Sequence, residues 1–183
     1  MDQKNNLIWI DTELTGLNWA KNKIVEIAVV VTDENLNLLD DGLEIVIHQD
    51  EETLRNMDPW CVDNFAKSGL TEKIRQSKIS TQEAEKKILE YLEKWIEKCQ
   101  SSICGNSVGQ DRKVLFREML KFEAEWVSYR TIDVSSIKEL VKRWKPEILD
   151  EVKKIKKENH RAMDDILESI EELKIYKEKF FKI

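Results

Sequence analysis

Two carboxylates that are two residues apart stand where a short apolar run ends. The run covers residues 7–10, and Asp11 and Glu13 follow it in IDTELTG. Side chains at i and i+2 of a strand share a face, so this pair should project together from the end of the strand. At an effective dielectric constant near 20, two such charges about 4 Å apart repel by roughly 4 kcal/mol. The pair therefore needs a cation, a shared proton or simple exposure to water.

Two further aspartates lie where helices are predicted to begin. Asp111 follows ICGNSVGQ, and Asp165 lies in NHRAMDD. Helix capping could explain either one, because the N-terminus of a helix has unpaired N–H groups and a positive dipole end. Capping does not explain His160, one of only two histidines in the chain. Two helical residues five apart would point roughly 140° away from each other, so a shared site requires His160 on the loop before the last helix.

Together these residues are typical of phosphate-ester hydrolysis assisted by metal ions. Hard carboxylate oxygens with no neighbouring cysteine or second histidine suit Mg²⁺ or Mn²⁺ rather than zinc. Four carboxylates could hold two ions, one to generate and orient a hydroxide and one to stabilise the leaving oxygen. A histidine, whose pKa is ordinarily near neutrality, could accept the proton from the attacking water.

The elements that would position these residues alternate between strands and helices. The runs 23–33 and 43–49 are β-rich, and with the first strand they predict an antiparallel meander. Beyond residue 80 the predicted order is helix 80–99 with a Ser80–Glu83 capping box, strand 102–104, helix 110–122, strand 130–134, helix 136–144, an exposed connection over 150–160, and a final helix. This order predicts a single α/β domain over residues 1–183, in which helices cover one sheet.

The composition limits the partners that the chain can have. A hydrophobic share of 41% beside 36% charged residues predicts a globular chain. The net charge of −6 is the wrong sign for gripping a long nucleic acid, so any such substrate should be small. Three cysteines without a C-x-x-C pair favour reduced thiols, and without a signal-like or long apolar segment we expect a soluble, cytoplasmic protein.

Five motifs, taken in order, carry a resemblance to a known family. LIWIDTELTGL, ICGNSVGQDR, YRTIDVSSIKEL, RWKPEIL and HRAMDDILESI resemble the oligoribonucleases, which are DEDDh 3′→5′ exonucleases. The resemblance implies an RNase H-like mixed sheet, an antiparallel meander plus parallel strands, flanked by helices. It also implies a homodimer that degrades very short RNA, down to dinucleotides. By the same resemblance, two Mg²⁺ or Mn²⁺ ions bind Asp11, Glu13, Asp111 and Asp165, and His160 is the general base.

The resemblance also implies how the bases of the RNA are held. Leu17 would be an apolar wedge between two bases, and Trp60 would stack on a base. Without the resemblance, both residues could belong to the hydrophobic core, and for Trp60 that interpretation would be favoured.

The 5′ phosphate of the RNA would be enclosed by a cap. The resemblance assigns this cap to Ser107, Arg130 and Ser135, and it places Tyr129 near the active site of the partner subunit. Phe65 departs from the family, which has a histidine that helps the cap from across the dimer. Because a phenyl ring donates no hydrogen bond, we expect weaker discrimination between dinucleotides and longer RNA.

Two other functions remain open at this point. A DNA-directed proofreading exonuclease would use the same five chemical residues. A nucleic-acid-binding domain with an RNase H-like fold but no catalysis is the second alternative, although here all five positions are filled.

Overall fold

The N-terminal third of the chain forms the predicted meander. The computed structural model describes residues 3–156 and 161–183, so His160 lies outside the described residues. Strands β1 (Leu7–Leu14), β2 (Ile24–Thr32) and β3 (Leu43–Val46) pair antiparallel in chain order. β1 extends four residues beyond the predicted run because it remains paired with β2 through its polar end. The two carboxylates of the D-x-E motif therefore lie within the strand rather than after it.

Two parallel strands complete the sheet beside β1. Strands β4 (Ile103–Gly105) and β5 (Thr131–Asp133) confirm the predicted positions, and the strand order is β3-β2-β1-β4-β5. β1 pairs antiparallel with β2 and parallel with β4. The mixed sheet is confirmed, and the carboxyl ends of β1, β4 and β5 share one edge of it.

Helices surround this sheet. They are α1 (Glu51–Arg55), α2 (Pro59–Lys67), α3 (Leu70–Gln76), α4 (Thr81–Leu92), α5 (Gly109–Glu118), α6 (Val134–Trp144), α7 (Leu149–Ile155) and α8 (Ala162–Tyr176), with short 3₁₀ turns at Gln3–Asn5 and Pro146–Ile148 and π-helical turns at Phe122–Trp126 and Lys177–Phe181. The capping box at the start of α4 is confirmed.

Several predicted bounds are wrong. α4 ends at Leu92 rather than 99, and α5 ends at Glu118, before a π-helical turn. The exposed connection expected over 150–160 instead begins as helix α7, because Val152 is buried against α8 and favours helix there.

The two faces of the sheet have separate hydrophobic clusters. Odd and even residues of a strand point to opposite faces. Ile10 and Ile27 face the cluster under α4 and α5, which we call the α4/α5 face. Trp9, Ala28 and Val30 face the cluster under α6–α8, which we call the α8 face.

A third cluster lies under the short helices α1–α3. Its buried members are Val25, Leu54, Met57, Cys61, Phe65, Leu70 and Ile74. Phe65 is almost fully buried in it, so its ring is part of the core and not of the surface. No helix in the described ranges is both long and apolar enough to span a membrane.

Candidate metal centre and active site

Three of the predicted metal ligands meet at the edge of the sheet. Asp11 and Glu13 project from the same side of β1, onto the α8 face, and Asp165 comes from the first turn of α8. One carboxylate oxygen of each lies within 4.8 Å of the others. Helix α8 therefore brings a side chain 152 positions further along the chain to the D-x-E motif.

Asp111 stands next to this group but points to a different partner. It lies in the first turn of α5 and is buried. Its Oδ1 accepts hydrogen bonds from the hydroxyl of Thr12 and from the Thr12 backbone N–H, at 3.1 Å for the latter. Thr12 is the residue between Asp11 and Glu13, so Asp111 is tied to the motif through its backbone. The predicted role of Asp111 as a ligand stays a prediction.

Burial and mutual repulsion make the carboxylates hard to ionise together. Burial, followed by the charges of Asp111 and Glu13, raises the pKa of Asp11 well above its usual range. Burial, with the charges of Asp165 and Glu26, raises the pKa of Glu13 to about 8. Burial also raises the pKa of Asp111 to about 6, although the Thr12 hydrogen bonds act in the opposite direction. A bound cation would relieve this repulsion, and a donor set of oxygens alone fits a hard divalent ion.

Glu26 is a charged residue near the site that the sequence analysis did not identify. It lies on β2 directly opposite Glu13 and has no exposed surface. Arg161, the residue before α8, pairs with it at 2.6 Å. A signal was present, because Glu26 is the only charged residue in the otherwise apolar strand IVEIAVVVT.

A cavity of about 360 Å³ opens beside Glu13. The side chains of Leu17 and Trp60 border it and are 95% and 54% exposed, so the interpretation of these two residues as core residues is wrong. The cavity is lined by Thr12, Glu13, Leu14, Gly16, Leu17, Asp58, Trp60 and Cys61. Its shape and apolar rim could receive a base next to the carboxylates.

The loop under Leu17 depends on Asp58, which the sequence analysis also missed. Asp58 accepts a hydrogen bond from the Leu17 N–H at 3.2 Å. A Cβ atom at Gly16 would lie 2.1 Å from the Asp58 carboxylate, so only glycine permits this close approach. The contact fixes the position of the exposed Leu17.

Ser107 and Ser135 are adjacent in the structure. Their hydroxyl oxygens lie 3.1 Å apart, and Ser135 donates to Oδ1 of Asn106 at 3.0 Å. Asn106 in turn donates to the hydroxyl of Ser169 on α8 at 2.8 Å. Asn106 was not predicted, and it connects the two serines to the helix that carries Asp165.

Tyr129 and Arg130 form a separate pair on the surface. The guanidinium of Arg130 lies 4.8 Å from the centre of the Tyr129 ring, a cation–π contact. Arg112 donates to the backbone carbonyl oxygens of both residues. The tyrosine is 80% exposed, so its ring is available to another molecule.

The comparisons with known proteins agree with this arrangement. The RNase T exonuclease family model matches residues 8–173. The chain belongs to this exonuclease family. The chain is 52% identical over 178 residues to the oligoribonuclease of Vibrio parahaemolyticus, covering 97% of each chain. It is 50% identical over 180 residues to that of Escherichia coli K12, covering 98% of each.

Solved structures of more distant proteins share the fold. Exonuclease I superposes with a TM-score of 0.73 at 17% identity, over 94% of this chain and 41% of that one. Pop2p of S. pombe, in a form that binds Mg²⁺ and Mn²⁺, superposes with a TM-score of 0.74 at 16% identity, over 96% of this chain and 84% of that one. At these identities the likeness is one of fold, and it confirms the RNase H-like mixed sheet flanked by helices.

Proposed function

We propose that this exonuclease-family chain is a metal-dependent 3′→5′ exoribonuclease. Its substrates would be very short oligoribonucleotides, down to dinucleotides, and its products 5′-mononucleotides. One observation carries the proposal: three carboxylates from β1 and α8 meet within 4.8 Å, in a chain about half identical to oligoribonucleases over nearly its whole length. Residues 1–183 would act as a single domain built on one sheet.

The carboxylates would hold two divalent ions, Mg²⁺ or Mn²⁺. Asp11, Glu13 and Asp165 supply the clustered oxygens, and Asp111 would join them if it turned from Thr12. Bound ions would neutralise phosphate charge and make a hydroxide available for in-line attack. The raised pKa values of Asp11 and Glu13 support a cation here, because a positive charge would stabilise the ionised carboxylates.

His160 would act as the general base. It is the residue before Arg161 in the chain and has the family's spacing, with four residues between it and Asp165. An imidazole near neutral pH can accept the proton of the attacking water.

The substrate would be held at two places. Bases would pack against Leu17 and Trp60 along the cavity beside Glu13. The 5′ phosphate would meet Ser107, Ser135 and Arg130, which would limit the length of RNA that fits. The net charge of −6 supports a small footprint, because a long strand would be repelled.

We also propose that the protein is a cytoplasmic homodimer. Apolar side chains of Phe116 and Leu120 are exposed, as is the ring of Tyr129. A second copy would cover them, and Tyr129 would then reach the active site of its partner. Sedimentation of the purified chain at several concentrations measures this, and a monomer at all of them would contradict it.

The test of the function is hydrolysis of defined oligonucleotides. We expect Mg²⁺-dependent release of 5′-mononucleotides from RNA of two to five residues, abolished in Asp11→Ala and in His160→Ala. Deoxyribose versions of the same oligonucleotides should be cleaved more slowly. Equal or faster cleavage of DNA would favour a proofreading-type exonuclease, and binding without cleavage would favour a non-catalytic domain.

A further inference from the structure

Glu26 is buried in a place where a lone charge would be costly. It lies near the start of β2, has no exposed surface, and faces Glu13 across the strand pair. Like charges directly opposite each other destabilise a sheet. A buried carboxylate costs several kcal/mol unless well-placed partners compensate for its lost hydration. The groups that bind the Glu26 carboxylate therefore indicate its structural role.

Among the described residues, the hydrogen-bond donors to the Glu26 carboxylate all belong to the start of helix α8. The Nε of Arg161 donates to both oxygens of Glu26 at 3.0 Å, and Nη2 donates to Oε1 at 2.6 Å. The backbone N–H of Ala162 donates to Oε2 at 3.2 Å. Glu44 on β3 also pairs with Arg161, at 3.3 Å, so two strands hold the same guanidinium.

This arrangement replaces the usual cap of a helix. Arg161 is the N-cap residue of α8, and its own side chain makes no capping hydrogen bond. The Glu26 carboxylate, 136 residues away in sequence, accepts the N–H of the first helical residue instead. A negative charge there also interacts favourably with the positive end of the helix dipole. The first turn closes with the Asp165 N–H donating to the Arg161 carbonyl at 3.0 Å.

We propose that Glu26, through Arg161, is a positioning residue for the metal centre. The ion pair fixes the first turn of α8 on β2, so that Asp165 meets Asp11 and Glu13. It also fixes the backbone of Arg161, the residue that follows His160 in the sequence. This inference rests on the proposed function, in which Asp165 is a metal ligand and His160 the base.

A purely electrostatic role of Arg161 predicts the opposite effect on metal binding from a positioning role, so the two roles can be distinguished. The positive charge of Arg161 opposes the negative potential at Glu13. If Arg161 acted only through its charge, its neutralisation would strengthen the binding of a divalent cation. If Arg161 positions Asp165, the same change weakens binding, because one ligand is no longer held in place.

The experiment compares three substitutions at Arg161, using Mn²⁺ alone as the probe in calorimetric titration. Arg161→Met removes both charge and hydrogen bonds, and Arg161→Lys keeps the charge but loses the bidentate geometry. Each should weaken Mn²⁺ binding about 10- to 100-fold, the usual cost of disturbing a residue behind a ligand. Arg161→Gln also removes the charge, so it should weaken binding too, whereas a purely electrostatic role of Arg161 predicts tighter binding.

A second readout needs no metal and no substrate. In the metal-free protein, hydrogen exchange at residues 162–165 should accelerate in Arg161→Met, in Arg161→Gln and in Glu26→Ala. Ile88→Ala, at a buried position of α4 on the other face of the sheet, is the matched control. It should lower the melting temperature without changing hydrogen exchange at residues 162–165 or the affinity for Mn²⁺. Exchange that is unchanged in Arg161→Met, or Mn²⁺ affinity as high as in the wild type, would overturn the proposal.

Kinetics separate this proposal from the proposed function. In the wild type, hydrolysis of a dinucleotide tests the proposed exoribonuclease function. If the wild type binds Mn²⁺ but does not hydrolyse the dinucleotide, only the proposed function is rejected, and the positioning role of Glu26 and Arg161 is not. In Arg161→Lys we expect kcat to fall while KM for the dinucleotide stays the same. If Arg161→Met does not fold, Arg161→Lys still tests the proposal. It leaves the charge in place, so weaker Mn²⁺ binding in this variant would come from the lost bidentate geometry.

Discussion

The two faces of the same sheet differ sharply in what they bury. On the α4/α5 face, β1 and β2 contribute mainly apolar side chains, such as Ile10 and Ile27, and the hydroxyl of Thr12 donates to Asp111 of α5. On the α8 face the same two strands have Trp9 and Val30 at one end and Asp11, Glu13 and Glu26 at the other. The change occurs within one strand length, at the end where β1 meets the first turn of α8.

The difference shows how the fold separates stability from chemistry. Burial of apolar area stabilises the α4/α5 face, at roughly 25 cal/mol for each Å² removed from water. The acidic half of the α8 face opposes folding, because its carboxylates lose hydration and repel one another. Substitutions on the two faces should therefore change different properties.

The largest expected effect is the loss of activity in Asp11→Asn. Neutralising this proposed metal ligand should lower kcat for a dinucleotide about 100-fold or more, since changes to residues behind a ligand already cost 10- to 100-fold. The metal-free variant should melt at a higher temperature than the wild type, because a buried repulsion is removed. Chromatography of the mononucleotide product and calorimetry measure the two quantities. A variant that is inactive and also less stable would break the comparison between the faces.

Ile27→Ala tests the opposite face. Its side chain is fully buried, so the truncation should lower the free energy of unfolding by about 2–5 kcal/mol. The folded protein should keep its kcat, because no carboxylate is touched. Urea denaturation gives the stability, and an assay well below the transition gives kcat. A large loss of kcat in fully folded protein would show that the faces are coupled.

Metal ions should stabilise the acidic half of the α8 face. Mg²⁺ or Mn²⁺ at 100 times its Kd should add about 2.7 kcal/mol to the free energy of unfolding, because it binds the folded state. Melting curves with added metal and with a chelator measure this effect. Glu13→Gln should show a smaller gain in stability on adding metal. A wild-type melting temperature that does not change at saturating metal would contradict the proposed metal site.

The pH dependence of the metal-free protein should show the same repulsion. The pKa of Glu13 is raised from 4.5 to about 8, so the folded state holds a proton that the unfolded state releases. Stability should therefore be highest below about pH 4.5, as far as this group is concerned, and fall as the pH rises towards 8. Glu13→Gln should flatten the curve, and saturating Mg²⁺ should do so in the wild type. A metal-free stability that rises across this window would contradict the raised pKa.

The smallest expected effect concerns Phe65, which lies outside both faces in the cluster under α1–α3. A buried phenyl ring offers the 5′ phosphate no donor, and a hydrogen bond to a charged group is worth about 1.5–3 kcal/mol. We expect this enzyme to cleave RNA of two and of seven residues with similar kcat/KM. Strong preference for the dinucleotide would show that other residues close the cap.

Sequence patterns predicted the strands and helices that are long enough for their pattern to be recognised. The β-prone apolar runs of β1 and β2 and the helical spacing in α4 and α8 were each long enough to identify. Helices α1–α3 were missed because each is five to nine residues long, with few full turns to reveal a pattern. Their order depends on the shared cluster around Phe65, which is a tertiary contact.

The site was predictable only where one element determines the geometry. The i, i+2 spacing was enough to place Asp11 and Glu13 on one side of β1. The register that sets Glu26 opposite Glu13, and the turn of Asp111 towards Thr12, depend on pairs of distant elements. Apart from the single charge of Glu26 in an apolar run, those contacts have no local sequence signal, and the role of His160 as the base was assigned through the family resemblance.

The strand order has a consequence for how the protein gains activity during its synthesis. The β1–β2–β3 meander uses neighbouring segments, which can associate early, whereas β4 and α8 must join β1 across about a hundred residues or more. Chains fold from the N-terminus as they emerge from the ribosome. Asp11 and Glu13 are therefore in place long before Asp165 is made, so the carboxylate cluster is complete only after the last helix has been synthesised.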